Sequence, residues 1–234
     1  MPPRLLLIST SVVYGTGYLE HALPEIADFL AGVTRVLFVP HALKDHDAYA
    51  AKARVAFRTI GRDLDSLHEA ALPRDAIRDA PALFVGGGNT FRLLAALYAL
   101  DLLGPMRERV AEGMLYMGAS AGSNVAGPTI RTTNDMPIVE SPSLAALGLV
   151  PFQINPHYVD PEPGSRHMGE TREERLRQFH EENETPVVGL REGAMLRVEG
   201  GRVVLKGAAG ARVFRRGQEP VEEPPGAELD GLLA

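Results

Sequence analysis

Short apolar segments alternate along this chain with longer segments of helical periodicity, and this alternation limits the possible folds more than any other feature. The apolar segments predict buried strands at 4–9, 35–40, 82–85, 113–117 and 186–190. Helical patterns occupy 18–30, 47–62, 90–99, 103–112 and 172–182. Strands without polar alternation are typical of a sheet covered on both faces. The order of the segments therefore predicts an α/β fold with a mostly parallel sheet.

The C-terminal part has a different pattern. Short strand-like segments at 194–199, 202–206 and 211–215 are separated by glycine turns. They predict an antiparallel meander that packs on the main sheet rather than an independent domain. A chain of 234 residues suits one large domain. We therefore expect residues 1–234 to form a single domain, with the Glu-, Pro- and Gly-rich tail from Gln218 loosely held.

Composition excludes several classes of protein. The chain has no cysteine, which excludes a disulfide scaffold, a thiolate metal site and a cysteine nucleophile. A net charge of -6 disfavours binding to a phosphate backbone. The first apolar run, Leu5–Ile8, is too short for a secretion signal, and no apolar stretch reaches the roughly 18 residues of a membrane span. We expect a cytoplasmic protein, monomeric or homodimeric, that binds neither nucleic acid nor membrane and needs no cofactor.

A G-x-S-x-G motif at 118–122 directly follows a predicted strand. A nucleophile elbow requires small residues on both sides of the serine, because the chain turns sharply there. Gly118, Ala119, Ala121 and Gly122 meet that requirement. The motif predicts Ser120 as a nucleophile whose turn opens a helix; the alternative is an ordinary small-residue turn of a parallel sheet.

A second glycine-rich turn, GGGNT at 86–90, also follows a predicted strand. It lacks the lysine of a phosphate-binding loop and the spacing of a dinucleotide-binding loop. An elbow enzyme takes one oxyanion donor from the residue after the nucleophile and a second from such a loop. The two turns together therefore predict an oxyanion hole made by Gly88 and Ala121. Asn89 and Thr90 are candidates for helix capping and for contacting the substrate.

A serine nucleophile needs a base and a carboxylate that orients it. His157 follows Pro156 after an apolar stretch, which suits a fixed position, and His41 after Pro40 is a competing candidate. Asp135 lies in a polar loop, whereas Glu192 lies at the end of a predicted strand, and either could orient the base. No H-E-x-x-H or comparable cluster occurs, so no metal site is expected.

Cationic side chains that could bind a substrate carboxylate are found in two segments. Thr171 begins a charged helical segment that carries Arg172 and Arg175. Arg131 lies in the polar loop before Asp135. An arginine can hold a carboxylate through two parallel hydrogen bonds. We rank Arg172 first, and Arg175 and Arg131 after it; the alternative for the helical pair is a solvated helix start.

An ordered set of motifs resembles the peptidase E family, the aspartyl dipeptidases. The motifs are 86–91 (GGGNTF), 118–124 (GASAGSN), 132–139 (TTNDMPIV), 154–157 (INPH) and 169–174 (GETREE). Segments 19–24 (LEHALP) and 190–193 (LREG) fit as well. Any single motif is modest, but the ordered set spans nearly the whole chain and is highly specific.

The resemblance implies a three-layer α/β sandwich related to class I glutamine amidotransferases. It implies metal-free hydrolysis of dipeptides with an N-terminal aspartate, with Ser120 as nucleophile and His157 as base. The positions of Asp135 and Glu192 have both been proposed for the acid in this family. Ala119 departs from the pattern, since a large aromatic residue is expected there, and this predicts a wider pocket. The alternatives are a related serine hydrolase acting on isoaspartyl or β-aspartyl polymer bonds, and a non-catalytic small-molecule binding protein.

Overall fold

The computed structural model describes residues 2–161, 164 and 168–233. The strands are β1 (Leu5–Ile8), β2 (Arg35–Val39), β3 (Asp63–Ser66), β4 (Ala82–Val85), β5 (Leu115–Ala119), β6 (Gln153–Tyr158), β7 (Val187–Arg191), β8 (Ala194–Glu199), β9 (Arg202–Gly207), β10 (Ala211–Phe214) and β11 (Val221–Glu223). The α-helices are α1 (Leu23–Phe29), α2 (His46–Thr59), α3 (Pro73–Asp79), α4 (Thr90–Ala99), α5 (Leu103–Ala111), α6 (Ala121–Asn124) and α7 (Arg172–Glu182). Within the described ranges, no helix has both the length and the apolar character needed to cross a membrane.

Seven strands form the central sheet, in the order β3-β2-β4-β5-β1-β8-β9. The strands from β3 to β1 are parallel, and β8 and β9 are antiparallel to their neighbours. Successive strand side chains point to opposite faces, so Leu5 and Leu7 enter one core cluster while Leu6 and Ile8 enter another. Helices α1 and α2 cover one face, and α4 and α5 cover the other. The predicted α/β fold with a mostly parallel, doubly covered sheet is confirmed.

The C-terminal strands are divided between two sheets, which corrects the prediction of one meander on the main sheet. The hairpin β8–β9 extends the central sheet beside β1. The chain then turns at Gly207, which has a φ of 93°. Strand β10 joins a second sheet of order β11-β10-β7-β6. Its Ala211 and Val213 are buried there opposite Leu190 and Val188 of β7, so apolar pairing places this strand in the second layer.

The sequence patterns do not predict β3 or β6. Strand β3 lies at one edge of the central sheet, and its residues alternate between exposed and buried positions. Strand β6 contains Pro156, which cannot donate to a ladder and is found at edges and bulges. The pairing of β6 with β7 shifts register between Pro156 and Tyr158. Because Pro156 and the bulge interrupt the segment, a prediction based on apolar runs does not identify this strand.

The tail from Gln218 is packed, in contrast to the expectation that it is loosely held. Its strand β11 pairs with β10. Further along, the Leu229 amide donates to Val203 O at 2.7 Å, and Asp230 Oδ1 accepts from the Val203 amide at 2.8 Å. Leu229 and Leu232 are buried. Backbone pairing and two apolar anchors therefore hold a segment whose composition is typical of a mobile end.

The parallel part of the central sheet brings three turns together. Strands β4, β5 and β1 are parallel neighbours, so their carboxyl ends lie at one edge of the sheet. Gly86, Ser120 and Ser9 follow these strands directly. Crevices at the carboxyl ends of parallel strands are the usual ligand sites of α/β folds.

Candidate active site

Ser120 lies in a strained turn between β5 and α6. Its φ is 52° and its ψ is -109°, a backbone conformation that L-residues rarely adopt. The flanking glycines are required sterically. A Cβ on Gly118 would lie 2.4 Å from Gly122 O, and a Cβ on Gly122 would lie 2.1 Å from Val85 O. The strand–turn–helix geometry of a nucleophile elbow is therefore present, and Ser120 lies at its apex.

The elbow predicts a large difference between two glycine-to-alanine variants. We expect Gly122→Ala to lower the free energy of unfolding by about 3 kcal/mol or more, since the backbone of β4 must move. Gly104→Ala is the matched control, because a Cβ on this α5 residue meets nothing within 4 Å. Its stability should stay the same or rise by up to about 1 kcal/mol. Urea denaturation measures both, and equal stability of the two variants would contradict the packing of the elbow.

His157 lies against Ser120. Its Nε2 is 2.9 Å from Ser120 Oγ. The imidazole reaches this position because β6 bulges there and His157 adopts a φ of 52°. The His157 amide donates to Ser9 Oγ at 3.0 Å, and Ser9 Oγ in turn donates to Leu190 O at 2.7 Å. The buried hydroxyl of Ser9 thus ties the end of β1 to β6 and β7 of the second sheet and fixes the histidine backbone.

Glu192 lies on the other side of the same imidazole. Its Oε1 is 2.7 Å from His157 Nδ1. Strands β6 and β7 are parallel neighbours, and Glu192 follows β7 directly, so the two residues meet at the same edge. The Glu192 side chain is 48% exposed and that of His157 is 37% exposed. A hydrogen-bonded series Ser120–His157–Glu192 results.

Asp135 is hydrogen-bonded to Thr90 and not to His157. Its Oδ2 accepts hydrogen bonds from the Thr90 amide at 2.7 Å and from Thr90 Oγ1 at 2.6 Å. Asn89 caps the same helix, α4, through Oδ1, which accepts from the Arg92 amide at 3.0 Å. Asn89 and Thr90, both candidates for substrate contact, thus stabilise the start of α4. Of the two candidate acids, Glu192 rather than Asp135 is hydrogen-bonded to the imidazole.

His41, the competing histidine, lies elsewhere. Its ring packs 4.8 Å from the ring of His46. Burial lowers the pKa of His41 to about 4, and the nearby His46 and His68 act in the same direction. Asp47, His68 and Glu69 bring ligand-type atoms within 4.8 Å of one another. Glu69 pairs with Arg54, and His68 Nε2 donates to Asp47 Oδ1 at 2.9 Å, so each of these ligand-type groups already has a protein partner.

Of the two predicted oxyanion donors, Ala121 follows the nucleophile directly and Gly88 lines the same cleft as Ser120. Ala121 is the first residue of α6, and its amide has no acceptor within the helix. Gly88 has a φ of 138°, and a Cβ there would lie 2.6 Å from Ala42 O. The adjacent Gly87 approaches Ser120 so closely that a Cβ would lie 3.0 Å from Ser120 Cβ. Only glycine allows this loop to come so near the serine.

A cleft of about 610 Å³ opens in front of Ser120. Its lining residues are Thr10, Ser11, Val12, Tyr18, Leu43, Tyr49, Lys52, Gly87, Gly88, Ser120, Asn134, Asp135, His157 and Arg172. The volume suits a small ligand. Ala119, in contrast, is fully buried in the core on the α1–α2 side. Ala119 is not a lining residue of the cleft, and its effect on the width of the pocket stays a prediction.

One of the three candidate arginines faces this cleft. Arg172 Nη1 donates to Asn134 Oδ1 at 2.5 Å, and Asn134 Nδ2 donates to Pro156 O at 2.7 Å. Burial lowers the pKa of the Arg172 guanidinium, the charge of Arg175 adds to this effect, and Asp135 opposes it. Arg172 has no carboxylate partner among the described residues. Arg175 is exposed and faces Glu170 at 3.6 Å, and Arg131 is exposed outside the cleft.

Several residues in and around the cleft were not found by sequence reasoning. Ser9 contacts the His157 backbone from outside the cleft lining and lies in a segment that carries no motif. Lys52, Tyr18 and Tyr49 line the cleft but belong to helical patterns with no chemical signal. Asn134 is adjacent to a candidate acid but resembles an ordinary loop residue. Only the rarity of lysine in this arginine-rich chain could have drawn attention to Lys52, since lysine occurs at 44, 52 and 206 alone.

A serine, a histidine and a glutamate joined by hydrogen bonds at the carboxyl edge of a parallel sheet form the arrangement of a serine hydrolase. Comparison with known proteins gives the family. The profile described as Peptidase family S51 matches residues 5–206. The chain belongs to this family.

Relatives and solved structures agree with this assignment. A peptidase E of Streptomyces coelicolor is 58% identical, with 98% of this chain and 95% of that protein covered. A probable alpha-aspartyl dipeptidase of Drosophila melanogaster is 51% identical, with 98% and 97% covered. The crystal structure of a peptidase from an acI-B1 actinobacterium covers 98% of this chain and 97% of its own, with a TM-score of 0.72 and 16% identity. The last likeness concerns the fold.

Proposed function

We propose that this S51 peptidase hydrolyses dipeptides with an N-terminal aspartate through an acyl-enzyme intermediate. The observation that carries the proposal is the series Ser120–His157–Glu192 beside Arg172, a cleft cation without a carboxylate partner in the described part of the chain. The names of the relatives, peptidase E and probable alpha-aspartyl dipeptidase, support the same substrate class.

The chemistry follows from the contacts of Ser120. Ser120 Oγ attacks the peptide carbonyl, and its proton passes to His157 Nε2 across the 2.9 Å contact. The Gly88 and Ala121 amides stabilise the oxyanion. The C–N bond then breaks, and His157 gives the proton to the leaving amine. Water attacks the resulting aspartyl ester with His157 again as base, which releases aspartate and restores Ser120.

Glu192 assists this cycle through the histidine. Its carboxylate accepts from His157 Nδ1–H, which fixes the tautomer that leaves Nε2 free to take the serine proton. The negative charge stabilises the imidazolium that forms after proton transfer. Ser9 positions the histidine backbone by accepting a hydrogen bond from its amide.

Recognition of an N-terminal aspartate requires a cation for its side chain and an anion for its ammonium. Arg172 supplies the cation. Asp135 supplies the anion, since its hydrogen bonds from Thr90 and Thr133 go to Oδ2 and leave Oδ1 without a partner among the described residues. Arg172 and Asp135 influence each other electrostatically, which suits groups that bind neighbouring charges of one residue.

The test is hydrolysis of a peptide panel in the presence of EDTA. The panel is Asp-Leu, Glu-Leu, Asn-Leu, N-acetyl-Asp-Leu and the isoaspartyl peptide β-Asp-Leu. We expect cleavage of Asp-Leu only. Preference for β-Asp-Leu would replace the proposal by the related isoaspartyl hydrolase. Absence of any cleavage, with no labelling by a serine-directed phosphonate, would favour a non-catalytic binding protein.

Arg172 should govern the preference for aspartate. We expect Arg172→Met to lower kcat/KM for Asp-Leu by about 10²-fold, because the substrate carboxylate would be desolvated without a partner. Arg175→Met is the matched control, since Arg175 is exposed and outside the cleft, and it should change kcat/KM by less than about twofold. An equal loss in both variants would show that α7 is disturbed and that Arg172 has no special role.

A further inference from the structure

Lys52 is a cation of the cleft that the proposed reaction does not yet use. It lies on α2, and its Nζ is 4.8 Å from the centre of the Tyr18 ring. The same cleft is lined by Ser120 and Arg172. Among the residues that the structure describes, no carboxylate pairs with Lys52, whereas Lys206 lies 3.9 Å from Glu25. An unpaired ammonium therefore stands at the wall of a site that accepts an anionic substrate.

The charges of the cleft complement those of an aspartyl dipeptide. The lining contains two cations, Lys52 and Arg172, and one carboxylate, Asp135. A dipeptide with N-terminal aspartate carries two carboxylates and one ammonium. The proposed function assigns Arg172 and Asp135 to the charges of the first residue. The groups left over are Lys52 and the C-terminal carboxylate of the second residue.

The wall that carries Lys52 is anchored to the core. Tyr18 and Tyr49 meet edge to face with ring centres 6.1 Å apart, and their hydroxyls are 3.4 Å apart. Tyr49 also packs against Phe38, a fully buried residue of β2, at 5.0 Å. An aromatic surface fixed in this way restricts the lysine side chain, so less conformational entropy is lost when a carboxylate binds.

We propose that Lys52 binds the C-terminal carboxylate of the dipeptide and so selects substrates with a single residue after the scissile bond. This inference rests on the proposed function and names the leaving-residue subsite of the same cleft. A longer peptide places an amide where the carboxylate of a dipeptide lies, and an amide offers Lys52 no charge. Dipeptide selectivity then arises from one electrostatic contact and not from a closed pocket.

The test compares Asp-Leu with Asp-Leu-amide, which differ at the C-terminal group alone. For the wild type we expect kcat/KM to be about tenfold higher for Asp-Leu, which corresponds to ~1.4 kcal/mol. Lys52→Met should lower kcat/KM for Asp-Leu by about tenfold and leave that for the amide within about twofold. Lys52→Arg should keep the preference. Lys44→Met is the matched control, because Lys44 is exposed and outside the lining, and it should behave as the wild type.

Three results would overturn the inference. Equal losses for both peptides in Lys52→Met would indicate a structural role for the lysine. An unchanged preference in Lys52→Met would mean that another group binds the carboxylate, while the proposed function would still stand. Cleavage of neither peptide by the wild type would overturn the proposed function, and the inference with it.

Discussion

Ser120→Ala is expected to lower kcat for Asp-Leu by about 10⁴-fold or more. The variant removes the atom that attacks the carbonyl and the hydrogen bond to His157 Nε2. Stabilisation of the oxyanion by the Gly88 and Ala121 amides would remain, so a small residual rate is expected. Serine and alanine both carry a Cβ, so the strain of the turn at φ 52° stays nearly the same.

Measurement of kcat should be paired with thermal unfolding and with phosphonate labelling. We expect the wild type to form a covalent adduct, Ser120→Ala to form none, and both to unfold at similar temperatures. Ser143→Ala is the matched control, since Ser143 is exposed and, within the described residues, its hydroxyl is hydrogen-bonded to the nearby Ala145 amide alone. Activity that survives in Ser120→Ala would exclude Ser120 as the nucleophile.

Glu192→Gln is expected to have the second largest effect, a loss of kcat of about 10²- to 10³-fold. Glutamine retains an oxygen that can accept from His157 Nδ1–H but removes the charge that stabilises the imidazolium. The loss should be smaller than for a buried acid, because the Glu192 side chain is 48% exposed and water supplies part of the stabilisation.

Asp135→Asn is the matched variant for the other candidate acid. Asparagine can still accept from the Thr90 amide and keep α4 capped. Because we assign Asp135 to the substrate ammonium, KM for Asp-Leu should rise while kcat changes little. Steady-state kinetics of the two variants separate the roles: a fall in kcat for Asp135→Asn with no change for Glu192→Gln would reverse the assignment of the acid.

The fold and the elbow were predictable because they depend on local chemistry. Segments such as 35–40 and 82–85 consist mainly of apolar residues, and this composition predicts that they are buried strands. The structure confirms them as β2 and β4. The turn at Ser120 needs glycine on both sides, a steric requirement that appears directly in the sequence. Strand β6 was not predictable in this way, since Pro156 and the register shift beside it interrupt the pattern.

The sequence alone thus determined the α/β class, the elbow, the glycine loop and a short set of acids and arginines. The tertiary structure decided which of those acids is hydrogen-bonded to His157 and which arginine lines the cleft. It also placed Lys52 in the lining of the same cleft. His157 and Glu192 are 35 residues apart, and they meet because β6 and β7 pair in parallel. Asp135 is 45 residues from Thr90, from whose amide and hydroxyl it accepts hydrogen bonds. Contacts of this kind depend on which strands pair and in which register. Strand pairing and register are set by the packing of the whole chain, so no single segment of the sequence predicts them.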